Sequence, residues 1–130
     1  MPYKMEKIEQ GIRAASNFID GFNTKNIEVL MSQISSSCTL EAAGEKDVYY
    51  GSERILHYYT THFSENPQVK IKVKEIHNMG KKIIMECLLG IDDALSCKTP
   101  SMIFFEVMYG KIIRISQYIK TRTSSDTITI

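Results

Sequence analysis

The sequence carries no excess of charge of either sign: 16 basic residues against 15 acidic ones give a formal net charge of +1. That removes the electrostatic case for nucleic acid, whose phosphates select a strongly basic face. Long hydrophobic runs are missing too. No uninterrupted apolar stretch reaches the roughly 18 residues of a membrane span, and the opening Met1–Lys7 lacks the apolar core of a signal peptide. Cysteine is scarce: Cys38, Cys87 and Cys97 are an odd number with no C-x-x-C spacing. Free thiols in a reducing cytoplasm fit that pattern, and small buried apolar side chains are their simplest role. Gly-rich phosphate loops, dinucleotide fingerprints and metal-ligand spacings are absent. No cofactor and no metal are therefore expected.

What is present suits a single folded domain. Of the 130 residues, 43% are hydrophobic, and a chain of this length buries about two thirds of its unfolded surface. No internal repeat or linker divides it, so residues 1–120 read as one domain and 121–130 as a polar tail, where Ile128 and Ile130 could add a short edge strand.

Ile8, Ile12, Ala15, Phe18, Ile19 and Phe22 recur at spacings of three and four, which predicts a helix with one apolar stripe. Gly21 and Asn23 are its expected end. Asn26 is placed to cap a second helix carrying Ile27, Leu30, Met31 and Ile34, broken by Ser35–Ser37. Cys38–Ala42 and Val48–Tyr50 read as short strands around a turn at Gly44–Asp47. Gly51-Ser52 starts a third helix, with Ser52 as its cap, that presents Ile55, Tyr58, Tyr59, His62 and Phe63 and stops before Pro67. Val69–Lys74 alternates strictly, as a half-buried strand does. Lys82–Ile91 and the final pair of runs, joined at Gly110-Lys111 by a tight turn, complete the set.

From Ile83 to Ile91 and from Met102 to Tyr109 both strand faces are largely apolar. An antiparallel strand with one wet face alternates instead, so both faces should be covered. Helices cover one. A second copy of the chain is the simplest cover for the other, which predicts a homodimer through the sheet; the tail folding over that face is the alternative.

The segments Phe18–Glu28, Thr39–Glu41, Tyr50–Ile55 and Gly110–Ile115, in the order helix, helix, two short strands, helix, long strands, resemble the nuclear transport factor 2-like superfamily. That group includes SnoaL-like polyketide cyclases, ketosteroid isomerases and scytalone dehydratases. The resemblance implies an α+β cone: three helices packed on a strongly curved, mainly antiparallel sheet that encloses a largely apolar pocket. It further implies a pocket lined by Phe18, Phe22, Ile34, Tyr59, Phe63, Phe104 and Gln117, and a small, mostly apolar organic ligand. The ketosteroid isomerase trio is not matched: Phe18 stands for its tyrosine, Ala42 for its general-base aspartate, and Phe104 or a neighbour for its second carboxyl donor. Phenylalanine donates to no oxyanion and alanine takes no proton, so steroid isomerisation by that route is rejected.

If the inward face of the last two strands holds Met102, Phe104, Glu106 and Met108, then Ile113, Ile115, Gln117 and Ile119, its polar exceptions are Glu106 and Gln117. A hairpin symmetric about Ser96 sets Glu86 opposite Glu106, and two carboxylates in an apolar cavity share a proton that can do acid–base work. The competing expectation is that each glutamate meets Arg54, Arg114 or a lysine, or lies on the outer face. His57 and His62 are five residues apart, about 500° around a helix, and so cannot share a metal; His62 reads as a surface or interface residue, and His77 with Glu75 as a solvated pair near a turn. Lys70, Lys72 and Lys74 read as a solvated strand face.

Two functions follow as expectations. One is a SnoaL-like binder or enzyme performing isomerisation, cyclisation or dehydration, with Glu86 and Glu106 as catalytic candidates. The other is a non-catalytic dimeric module whose pocket is filled by Phe18, Phe22, Phe63 and Phe104.

Overall fold

The computed structural model describes residues 2–91 and 99–120, the side chains of 2–8 excepted. Cys97, the expected loop tip at Ser96 and the tail at 121–130 lie outside the described residues. Helix α1 spans Pro2–Thr24 and α2 Ile27–Ser32; strands β1 (Ile34–Glu41) and β2 (Val48–Tyr50) follow, then helix α3 (Ser52–Glu65). Four long strands close the chain: β3 (Val69–Met79), β4 (Lys82–Ile91), β5 (Thr99–Met108) and β6 (Lys111–Ile119). They form one six-stranded sheet in the order β2-β1-β6-β5-β4-β3. Every neighbouring pair is antiparallel except β1 and β6, which run parallel. The architecture is α+β, three helices on a curled sheet.

The core lies between the helices and one face of that sheet. Ala15 and Phe18 of α1, Leu30 of α2 and Ile55 and Tyr59 of α3 are buried against Leu40, Ile83, Met85, Phe105, Ile112 and Ile115. Phe18 sits at its centre, edge-on to Phe105 with ring centroids 5.4 Å apart and to Tyr59 at 5.6 Å. Such T-shaped pairs add to the area they bury.

Gly21 does not end α1. It is a contact point inside the helix, where a Cβ would stand 2.7 Å from the Leu30 backbone nitrogen, so its missing side chain is what lets α2 pack this closely. The left-handed residue that ends the helix is Lys25, at φ 57°. Asn26 caps α2 as expected, its side chain accepting from Val29 N at 3.1 Å. Ile34 belongs to β1 rather than to α2: the helix is only six residues long, and Ser35–Ser37 continue as strand instead of breaking. Gly51, not Ser52, is the N-cap of α3; at φ 92° it takes a conformation costly for other residues, and no side chain caps the helix.

Strand β3 runs past Lys74 to Met79, with a bulge between Val73 and Glu75, and forms one edge of the sheet. In the last hairpin Met108 pairs with Lys111, so the two-residue turn is Tyr109-Gly110, both at positive φ (54° and 77°), one position earlier than Gly110-Lys111. A second bulge, between Glu106 and Val107, leaves Ile113 without a partner on β5. The buried positions of β5 are consequently Ile103, Phe105 and Val107, and those of β6 include Ile112 and Ile115. Met102, Phe104, Glu106 and Met108 occupy the opposite, helix-free face, a one-residue change of parity from the expected inward set.

Candidate functional site

A cavity of about 150 Å³ opens at one end of the sheet, between α1, α3 and strands β3 to β6. Its apolar wall includes Phe22, Ile71, Leu89 and Ile103; its polar groups come from Tyr58, Tyr59, His62, Ser101 and Gln117. Each element has a reason to supply them. Tyr59 lies four residues after Ile55, on the stripe of α3 that faces the core, and is only 1% exposed. Gln117 lies two residues beyond buried Ile115 on β6, and Ser101 is its near neighbour on β5, two residues before Ile103.

Tyr59 and Gln117 belong to one chain of hydrogen bonds. Gln117 Nε2 donates to the Tyr59 hydroxyl oxygen at 2.9 Å, while Gln117 Oε1 accepts from the Ala43 backbone nitrogen at 3.5 Å. Burial pushes the Tyr59 phenol well above its ordinary range, reinforced by Tyr58 and Cys38, against a smaller downward pull from Gln117. The neighbouring Tyr58 is pushed up to about 12, again chiefly by burial, with Glu45 and Tyr49 adding to it. Both phenols are therefore proton donors at neutral pH. His62 moves the other way: burial, then the Lys25 ammonium, lowers its pKa from 6.5, against a smaller upward pull from Glu65. Its ring stands 5.4 Å from Phe22 between centroids, and its Nδ1, like the Ser101 hydroxyl, is buried without a hydrogen-bond partner.

The expected pocket residues separate into groups. Phe22, Tyr59 and Gln117 line the cavity. Phe18 and Ile34 are buried in the core. Phe63 packs edge-on against Phe22 at 5.6 Å. Phe104 is on the outer face of the sheet, with the Arg114 guanidinium 5.3 Å from its ring centroid.

The glutamate pair is not formed. Glu86 lies opposite Met102, and Glu106 opposite Lys82, because the β4–β5 register is offset by four residues from the symmetric hairpin. Glu106 pairs with Arg114 on its other side, so basic residues flank it on both neighbouring strands, on the face away from the helices. Glu86 faces Glu75 across β3 and bonds His77 Nε2 at 2.7 Å. That bond, more than the contact with Glu75 or the Lys74 charge, holds its carboxyl below the usual range. Glu75, His77 and Glu86 offer ligand atoms within 4.8 Å of one another, the one such metal-capable group among the described residues, and all three side chains are exposed to solvent. Glu41 likewise points outward, accepting from the Ser116 hydroxyl at 2.6 Å, while Ala42 is buried.

His62, Tyr58 and Ser101 are the lining groups that sequence reasoning missed. His62 stands three residues after Tyr59 and four after Tyr58, so helical spacing alone sets it beside the core-facing stripe. Ser101 had no comparable signal, since its placement depends on the parity of β5.

No protein-family model and no curated protein matches the chain. Solved structures do. One, described provisionally as a ketosteroid isomerase from Kribbella flavida DSM 17836, superposes with a TM-score of 0.74 at 17% identity, covering 89% of this chain and 82% of that one. Another, described provisionally as a SnoaL-like polyketide cyclase from Jannaschia Sp. CCS1, gives 0.74 at 13% identity over 86% of each chain. An NTF2-like protein of unknown function from Mesorhizobium loti gives 0.74 at 16% identity, covering 87% of this chain and 93% of that one. At such identities the likeness is one of architecture, and activity does not travel with it. On these superpositions its three helices and curled six-stranded sheet have the nuclear transport factor 2-like fold.

Proposed function

We propose that the chain binds a small, mostly apolar organic molecule in the cavity between α3 and strands β3 to β6. The observation that carries this reading is the cavity itself: about 150 Å³, walled by Phe22, Ile71, Leu89 and Ile103, with the Tyr59–Gln117 bond at its side. Apolar walls with a few convergent polar groups are the usual makeup of a small-molecule site. The provisional descriptions of two neighbours as a cyclase and an isomerase favour an acid–base transformation such as isomerisation, cyclisation or dehydration. In this chain the groups available for it are Tyr59 and His62, since Glu86 and Glu106 stand on the other face. A cytoplasmic setting is part of this reading, in keeping with Cys38 and Cys87 as free thiols in the core.

A filled cavity tests the reading. Leu89→Phe adds a ring to the apolar wall; binding of a single-ring hydrocarbon, followed by protein-observed NMR, should disappear while the folded spectrum persists. Unchanged binding in that variant would place the guest elsewhere and end the proposal.

A second reading, of assembly, has its own observation. Met102 and Tyr118 are 43% and 59% exposed, and they adjoin Leu88 and Pro100 around an open groove of about 360 Å³ on the helix-free face. We propose that a second copy of the chain covers this face, as an apolar outer surface flanked by charges of both signs suits a two-fold contact.

A further inference from the structure

The apolar reading leaves three polar atoms at the cavity unexplained. Ser101 Oγ and His62 Nδ1 are buried with no hydrogen-bond partner, and a buried polar group left unpaired is destabilising in a fold that otherwise satisfies such groups. The third is the Tyr59 proton. The Ala43 N–H can only donate, so the Gln117 carbonyl oxygen must face it, and the Gln117 amide nitrogen must face Tyr59. That nitrogen can only donate as well. The Tyr59 oxygen therefore accepts, and its own O–H proton is left for an acceptor outside this chain of bonds. His62, buried on its Nδ1 side and next to the Lys25 ammonium, is held as neutral imidazole. Assigning its proton to Nε2 leaves Nδ1, buried and without a partner, a bare lone pair at the cavity. The inner surface so offers hydroxyl donors from Tyr59 and Ser101 and an acceptor from His62, all within one lining.

Size limits the guest further. An apolar cavity of 150 Å³ accommodates a benzene-sized molecule, and the volume here is about 150 Å³. A four-ring steroid or a fused polycycle is several times too large.

The geometry points to a guest with one ring bearing a hydroxyl, a phenol or hydroxylated monocycle, whose oxygen accepts from Tyr59, with Ser101 as a second donor beside it, and whose O–H donates to His62 Nδ1. This rests on the small-molecule reading above and assigns its ligand class. Three probes of similar size separate the two ideas: benzene offers no polar contact, cyclohexanone only an acceptor, phenol both an acceptor and a donor. Protein-observed NMR titrations should rank phenol about tenfold tighter than benzene, the worth of one to two neutral hydrogen bonds, with cyclohexanone between them. Tyr59→Phe, which keeps the buried ring, should weaken phenol and cyclohexanone but not benzene; His62→Phe should weaken phenol alone. Phenol binding no tighter than benzene, or a variant weakening all three alike, would overturn the assignment while leaving an apolar cavity intact. Failure of all three probes with the unaltered chain would remove the small-molecule reading and this assignment together. Should either variant not fold, the ranking of the three probes on the unaltered chain decides by itself.

Discussion

At the scale of single residues, His62 and Glu86 give the molecule two separate acid limbs. His62 has its pKa lowered from 6.5 by burial. Its unfolded form therefore takes up a proton before the folded form does, and stability falls as pH drops below about 6.5 toward the lowered folded value. Glu86, whose pKa is lowered from 4.5 mainly by His77, contributes stability that is complete above the ordinary carboxylate range. That contribution is lost as pH falls through its lowered folded value. Both limbs run in the same direction but occupy different windows. Urea unfolding at a series of pH values should show the decline that sets in below about pH 6.5 flattened in His62→Phe and kept in Glu86→Gln. A His62→Phe profile that still declines across that window would mean the imidazole is not held neutral by its surroundings.

At the scale of elements, the edge of the sheet is held by the end of a helix. Asn23, near the C-terminus of α1, donates from Nδ2 to the Ile71 carbonyl at 2.8 Å and accepts from the Ile71 N–H at 2.7 Å. It completes the pairing that a further strand would give β3, and Lys25 Nζ adds a bond to the Val69 carbonyl. Over Val69–Ile71 the edge is thereby closed to pairing with another chain. Asn23→Ala leaves a buried backbone donor and acceptor unpaired and should cost about 1–3 kcal/mol in denaturant unfolding, with faster hydrogen exchange at Ile71. A loss below about 0.5 kcal/mol would show that water replaces both bonds at little cost. Nothing in the sequence announces this clamp: Asn23 reads as a helix terminator, because asparagine tolerates the left-handed conformation that Lys25 in fact adopts. Helices α1 and α3 were legible, since a stripe at spacings of three and four has one interpretation. The strands β4, β5 and β6 were legible as strands, yet their parity was not. With Met102, Phe104 and Met108 as apolar as Ile103, Phe105 and Val107, alternation offers no vote on which set faces the helices. The bulges after Val73 and Glu106 shift register without a mark in composition. Every misplaced site residue on β5 follows from that single ambiguity, and the missed pairing of Glu86 from a loop whose length did not set the hairpin's centre.

At the scale of the whole molecule, the same apolar character that hid the parity bears on assembly. Once Ile103, Phe105 and Val107 are buried under the helices, Met102 and Tyr118 remain on the far side, where water alone would favour polar residues. Around them stand Lys74, Glu86 and Lys120 at the groove, with Glu106 and Arg114 paired further along the sheet. A patch holding both signs of charge is complementary to its own rotated copy, so a two-fold contact could set opposite charges against each other at its rim. A stable contact of this kind buries about 800 Å² on each partner, and its energy concentrates in a few central side chains. Tyr118, a large and exposed aromatic, is the natural centre. The double substitution Met102→Lys and Tyr118→Lys puts like charges opposite each other in the assembled pair and leaves the helix-facing core untouched. Sedimentation equilibrium should then report a monomer of about 15 kDa, consistent with the chain mass of 14.9 kDa, while the proposed pairing requires the unaltered chain to sediment at twice that mass. The cavity lies on the other side of the strands, but Met102 and Tyr118 also reach its lining; if the two surfaces are coupled there, the monomeric variant should hold a ring-sized guest more weakly as well. A chain that is monomeric before any substitution would leave the outer patch without its second copy.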